Sequence, residues 1–346
     1  MPKKPRSGST PQERLVAEFS RHSISSRNTF HPNLWKKLGR EPADMIILIG
    51  RAVLFVNMTE GNSYFQNLAD HNIDQARNRM LDGAVGPSIK GANKWPEFDI
   101  SWSAVDHIAV ISVVDGRHAA CSHHELSGLG LDSKVRLCAT VTSQVMYSLA
   151  NKGGGARDLL LFCLSLKGLG LLPHANGADL LRTQYDAIRR PFDETTRTPT
   201  RLGRAIVNGI ELNPLDEFAL YFTGIRREGS LDHHAFSDLS WRDVFYVASF
   251  LANSAAEMEW LPQGQIRRAR FGEHTKFSIV ISTNMGAVAK LSGALFDDEK
   301  AFGSRFIATF MLSNIGVIPM IAYIEDDPPS VSETEYLLIK VAEVKD

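Results

Sequence analysis

The chain has 346 residues, 44% of them hydrophobic, and a formal net charge of −1. That apolar content excludes a disordered polyelectrolyte and provides for a sizeable core, and the length points to two lobes rather than one. Three cysteines, Cys121, Cys138 and Cys163, exclude a disulfide framework and fit a reducing compartment.

Residues 1–9 carry Lys3, Lys4 and Arg6 without an acid. They read as a disordered basic tail, and no apolar run follows them to make a secretory leader. Thr10-Pro11-Gln12-Glu13 is a helix start, with Leu15, Val16 and Phe19 on the apolar side. Residues 45–56, MIILIGRAVLFV, are too apolar for a surface element and form either a buried helix or two short strands. Tyr64, Phe65, Leu68, Ile73, Ala76 and Met80 fall at helical spacing over 63–82. IAVISVVDG, 108–116, is the best strand candidate and ends in an Asp-Gly turn.

From Ser133 onward, Val135, Cys138, Val141, Val145 and Leu149 predict a long helix ending at Gly153–Gly155, and DLLLFCLSLKGL predicts another. LLPHANGAD, 171–179, reads as the junction between lobes. In the second lobe, Leu180, Leu181, Tyr185 and Ile188 form one helical stripe. Asn213-Pro214 and Ser240 begin further helices, and 285–296 also has a helical pattern. Residues 276–282 have a strand pattern. FIATFMLSNIGVIPMIAY, 306–323, is predicted as a buried helix broken at Pro319 rather than a membrane span. An acidic linker, 324–336, precedes a short last element.

The usual catalytic signatures are missing: the chain has no GxxxxGK[ST], no GxGxxG after a strand and no GxSxG. Two clusters carry metal-ligating residue types. RHAACSHHE holds His118, Cys121, His123, His124 and Glu125, and a second group is Asp232-His233-His234. Imidazole and thiolate are zinc ligands, but the first spacing matches no ligand pattern, and the second, a DHH triplet similar to that of one phosphoesterase family, lacks the preceding apolar strand and companion aspartates. A polar loop and a turn are the plainer accounts. A cytosolic metal-dependent enzyme using either cluster is the alternative function.

The basic residues are segregated. Arg182, Arg189, Arg190, Arg197, Arg201 and Arg204 outnumber the acids of 180–204, and Arg267, Arg268, Arg270 and Lys276 outnumber those of 262–276. Guanidinium groups pair bidentately with phosphate, and threonine hydroxyls add weaker contacts. Tyr185 and Phe192 lie beside the first cluster and offer faces for unpaired bases.

The stretch Phe192-Asp193-Glu194-Thr195-Thr196-Arg197-Thr198-Pro199-Thr200-Arg201 resembles a segment of the coat proteins of potyvirus-type flexuous filamentous plant viruses. A helical chain of two lobes with a basic junction is also similar to nucleocapsid proteins of single-stranded RNA viruses. The elements read along the chain predict a mainly α fold, with two helical lobes, a few short strands and flexible terminal arms. The divisions are a basic arm at 1–20, lobes at 21–175 and 176–323, and an acidic arm at 324–346. The resemblance implies a nucleocapsid or coat protein, in virions and host cytoplasm, that forms a large homo-oligomer on single-stranded RNA without a cofactor. Arg182, Arg189, Arg190, Arg197, Arg201 and Arg204 would line the RNA groove, and Arg267, Arg268, Arg270 and Lys276 are the further nucleic-acid-binding candidates. A shell-forming capsid protein is the near variant.

Overall fold

In a computed structural model of the chain, the structure describes residues 11–32, 41, 43–61, 63–85, 88–92, 97–196, 206–207, 210–211, 213, 215–216, 218–220, 222–223, 234–258, 266–271, 277–282, 297–298, 306–313, 316–323 and 331–343. The expected mainly α fold gives way to a mixed α/β one. The chain divides into two compact units. The first comprises 1–184, 236–240 and 332–346, and the second 185–235 and 241–331.

The first unit is built on a nine-stranded mixed sheet. A helix α1 (Pro11–His22) precedes β1 (Thr29–Pro32), β2 (Met45–Ile49) and β3 (Ala52–Glu60). Helix α2 (Phe65–Val85), the hairpin β4 (Ile89–Ala92) and β5 (Glu97–Ile100), and β6 (His107–Asp115) follow. Next come β7 (Ala120–His124), β8 (Val135–Thr142), α3 (Ser143–Asn151), α4 (Ala156–Ser165) and β9 (Leu172–Pro173). The strand order is β5-β4-β1-β2-β3-β6-β8-β7-β9. The central β3, β6 and β8 are parallel, and the strands flanking them are antiparallel.

Burial explains these strands. Residues 52–58 of β3 and 108–114 of β6 are buried without interruption, as strands covered on both faces must be. On one face α2 sets Ile73, Ala76 and Met80 against Phe55, Val110 and Cys138. Helices α3 and α4 contact β8, as does the last helix, α8 (Glu333–Glu343). The open hydrophobic run 45–56 is therefore a β-hairpin, β2–β3. At the carboxyl ends, the Asp115-Gly116 turn has Gly116 at φ 129°, and a Cβ there would lie 2.0 Å from the Gly61 carbonyl oxygen.

Helix α8 is anchored by acids. Ser332 and Glu335 form a reciprocal capping box: the Ser332 N–H donates to Glu335 Oε2 at 2.7 Å, and the Glu335 N–H to Ser332 Oγ at 3.1 Å. Asp238 accepts from the Thr334 N–H at 3.0 Å, from the Glu333 N–H at 2.5 Å and from the Thr334 hydroxyl. The Arg51 N–H, in the β2–β3 turn, donates to Glu335 Oε1 at 2.7 Å. Burial pushes the Asp238 carboxyl up to about 7, against the lowering effect of the Thr334 hydroxyl and Arg157.

Helix α5 (His174–Thr195) runs from the first unit into the second. The second unit adds the pair β10 (Ile206–Val207) and β11 (Ile210–Glu211). After the short helix α6 (His234–Ser237), helix α7 (Trp241–Met258) leads to β12 (Ile266–Phe271), β13 (Phe277–Ser282), β14 (Phe306–Ser313) and β15 (Gly316–Tyr323). These four form a sheet in chain order, with β13 and β14 parallel and the other pairs antiparallel. Helix α7 lies on β12 and β13, with the Phe250 and Phe271 ring centroids 6.0 Å apart. Tyr185 of α5 meets Trp241 edge-on at 4.9 Å and Phe245 at 5.6 Å.

Several expectations are corrected. Residues 135–142 are a strand, because a strand buried on both faces fills every apolar position, including those at helical spacing. Residues 306–323 are a hairpin, and Pro319 is accommodated because β15 is an edge strand that need not donate on its outer side. Among the described residues no helix is long and apolar enough to cross a membrane. The junction at 171–179 is strand β9 and the start of α5, and the unit division falls after Gln184. Neither terminal arm keeps its expected bounds: α1 buries Leu15 and Phe19, and α8 buries Leu338, in the first unit. The helix expected at 285–296 lies outside the described residues, as do residues 1–10.

Candidate nucleic-acid interface

Of the ten basic residues expected to bind RNA, Arg197, Arg201, Arg204 and Lys276 lie outside the described residues. The other six differ in their surroundings. Arg182, on the part of α5 in the first unit, is exposed and pairs with Asp179 one turn away at 3.0 Å. Arg189 is half-buried and held by Asp193 at 2.9 Å and Asp216 at 2.8 Å. Burial opposes its charge, but the hydrogen bonds it donates to Asp193 and Asp216 outweigh burial and raise its pKa above the ordinary value. Arg190, the next residue, is exposed.

On β12, alternation sorts the arginines. Arg267 reaches Glu257 of α7, whereas Arg268 and Arg270 reach Asp298. Five of the six described arginines are thus neutralised by a carboxylate of the same unit. Among the described residues, the charge counted along the sequence is largely compensated in space.

The α5–α7 surface of the second unit offers a cation and an aromatic ring together. Tyr246 is 43% exposed. The Arg242 guanidinium lies over its ring, 5.6 Å from the centroid, with Nη2 3.5 Å from the hydroxyl. That hydroxyl holds the Arg242 pKa above its ordinary value. Buried Phe192 of α5 meets the Tyr246 ring edge-on at 4.7 Å and fixes its orientation. Arg242 and Tyr246 escaped the sequence reading because neither sits in a basic run. Their signal is an arginine four residues before a tyrosine on a helix.

The first unit also holds polar side chains inside. Asn57, Ser112, Thr140 and Ser122 stand level across β3, β6, β8 and β7. Asn72 of α2 lies 2.9 Å from Ser112 Oγ and 3.2 Å from the Val113 carbonyl oxygen, and it accepts from the Thr59 hydroxyl at 2.5 Å. His124 Nε2 is 2.7 Å from Thr140 Oγ1. Burial, then the neighbouring His123, lowers the His124 pKa.

The expected polar loop at 117–125 is largely strand β7. Its alternation puts Cys121 and His123 on one face, and Ser122 and His124 on the other. Exposed His118 stacks on Tyr64 instead, at 5.7 Å. Burial pushes the Cys121 thiol up to about 11 and the Cys138 thiol to about 12, and raises Cys163 well above its ordinary value. Thiols so shifted supply little thiolate at neutral pH. Among the described residues, no three His, Cys, Asp or Glu side chains are grouped to hold a metal ion. Asp232 and His233 lie outside the described residues, and His234 opens α6.

Comparison of the chain with protein-family models, with curated proteins and with solved structures finds no match.

Proposed function

We propose that the second unit binds single-stranded RNA with little sequence preference, through Arg190, Arg242 and Tyr246. The observation that carries this reading is the exposed Tyr246 ring, braced by Phe192 and covered by the Arg242 guanidinium. An aromatic face accepts any unpaired base, and an adjacent cation neutralises the phosphate beside it. Buried Phe192 belongs to the last turn of α5, directly before the segment that holds Arg197, Arg201 and Arg204 in the sequence.

Assembly of many copies along one RNA, as in a nucleocapsid or coat, is the larger form of this proposal. It requires self-association in addition to RNA binding, and particle size with and without RNA measures it. The binding step is tested with a fluorescein-labelled oligouridylate and the full chain. Y246A is expected to weaken binding roughly 5- to 150-fold, the usual range for loss of one stacked base, with only a small fall in the thermal midpoint from the lost edge-on contact with Phe192. Absence of binding by the wild-type protein, or equal binding by Y246A, overturns the reading.

A further inference from the structure

Strand β12 has two unlike faces. Phe271 and Arg267 face α7, where they meet Phe250 and Glu257. Arg268 and Arg270 project from the opposite face, and both guanidinium groups bond one carboxylate oxygen, Asp298 Oδ2, Arg270 at 3.0 Å. Two planar donor forks converging on one anionic oxygen make an oxyanion site. A carboxylate and a phosphate present similar acceptor geometry to such forks. The Asp298 side chain is 52% exposed, against 34% and 31% for the two arginines. Solvent-exposed ion pairs of this kind hold weakly.

We propose that Arg268 and Arg270 form a phosphate site for the RNA backbone, which Asp298 occupies until RNA displaces it. The proposal rests on the RNA-binding reading given above and adds a second contact, on a face of β12 that does not carry Tyr246. Asp298 acts there as a built-in competitor: its negative charge stands where a phosphate oxygen would sit. Displacement exchanges one charge-assisted pair for another and leaves Asp298 in water, where its ionised form is well solvated. The resident carboxylate therefore lowers RNA affinity without abolishing it, and it excludes weakly charged ligands that cannot compete.

The test is D298N, which keeps the side chain's size and removes its charge. With a fluorescein-labelled oligouridylate and the full chain, D298N is expected to bind about two- to five-fold more tightly, the range set by an exposed pair. Its plot of log affinity against log salt should steepen by about 0.7 for each phosphate gained. Adding R268Q and R270Q to D298N should abolish the gain. Wild-type affinity and slope in D298N overturn the inference. So does a gain that survives in the triple variant, since the two arginines would then have no part in it. If D298N changes nothing while Y246A weakens binding, only this inference fails. If neither the wild type nor D298N binds, the RNA reading fails with it.

Discussion

The two units handle polar side chains in opposite ways. In the first, Asn72 joins Thr59 and Ser112 between α2 and the sheet, His124 meets Thr140 separately, and Asp238 caps the N-terminus of α8. In the second, Arg242 and Tyr246 stand at the surface with solvent on one side. Buried polar groups fix a structure because leaving one unpaired is expensive, whereas exposed ones contribute little to folding and remain available to a ligand. The contrast assigns stability to the polar chemistry of the first unit, and it is the ground for the binding proposed for the second.

The strongest way to break that contrast is N72A. Losing this amide strands the buried Ser112 hydroxyl, takes the acceptor from the half-buried Thr59 hydroxyl and leaves a cavity. Urea unfolding should show a loss of about 3 kcal/mol, and a near-neutral result would mean that the network is not structural. Asp238 comes next. D238A leaves the Glu333 and Thr334 N–H groups without their acceptor and should lower stability by about 2 kcal/mol.

The pH dependence of Asp238 has a definite sign. Its carboxyl is raised to about 7 in the folded protein from an ordinary value of 3.8, so between those values the folded state holds more protons than the unfolded one. Its contribution to stability is full below pH 4, declines as pH rises toward 7 and is flat above that. In D238N this component should vanish, and the difference between urea midpoints of wild type and D238N at pH 5 and pH 8 isolates it. A wild-type protein that gains stability relative to D238N on going from pH 5 to pH 8 would reverse the sign and remove the argument.

How much of this was legible in the sequence depends on range. Local signals served well: Pro11 opens α1, the Asp115-Gly116 turn closes β6, and the spacing of Ile73, Ala76 and Met80 marks the buried face of α2. Burial on both faces erased the period elsewhere. Val135, Cys138 and Val141 imitate a helix because every residue from Leu137 to Thr142 is buried, and strand and helix then look alike. In 306–323 a proline suggested a broken helix, although the edge of a sheet tolerates it equally well. The arginine clusters were visible as charge, but of their pairs only those one turn apart on α5, Arg182–Asp179 and Arg189–Asp193, are local enough to read from the sequence. Asp216 lies 27 residues beyond Arg189, and Asp298 lies 28 beyond Arg270, so a count within a local window omits the acids that neutralise them.

Adjacent arginines give the finest test of the contrast, with the smallest expected effect. Arg189 and Arg190 are neighbours on α5, yet Arg189 is clasped by Asp193 and Asp216 while Arg190 is exposed. R189Q removes a half-buried pair and should lower stability by about 1 kcal/mol. It should leave the salt dependence of oligouridylate binding unchanged, because a compensated guanidinium releases no counterion. R190E should do the reverse. Stability should stay within about 0.5 kcal/mol of wild type, as for other surface changes, and the salt slope should become shallower by about 0.7. Equal slopes in the two variants would mean that the helix contributes only a diffuse field, with no residue of α5 in contact with phosphate.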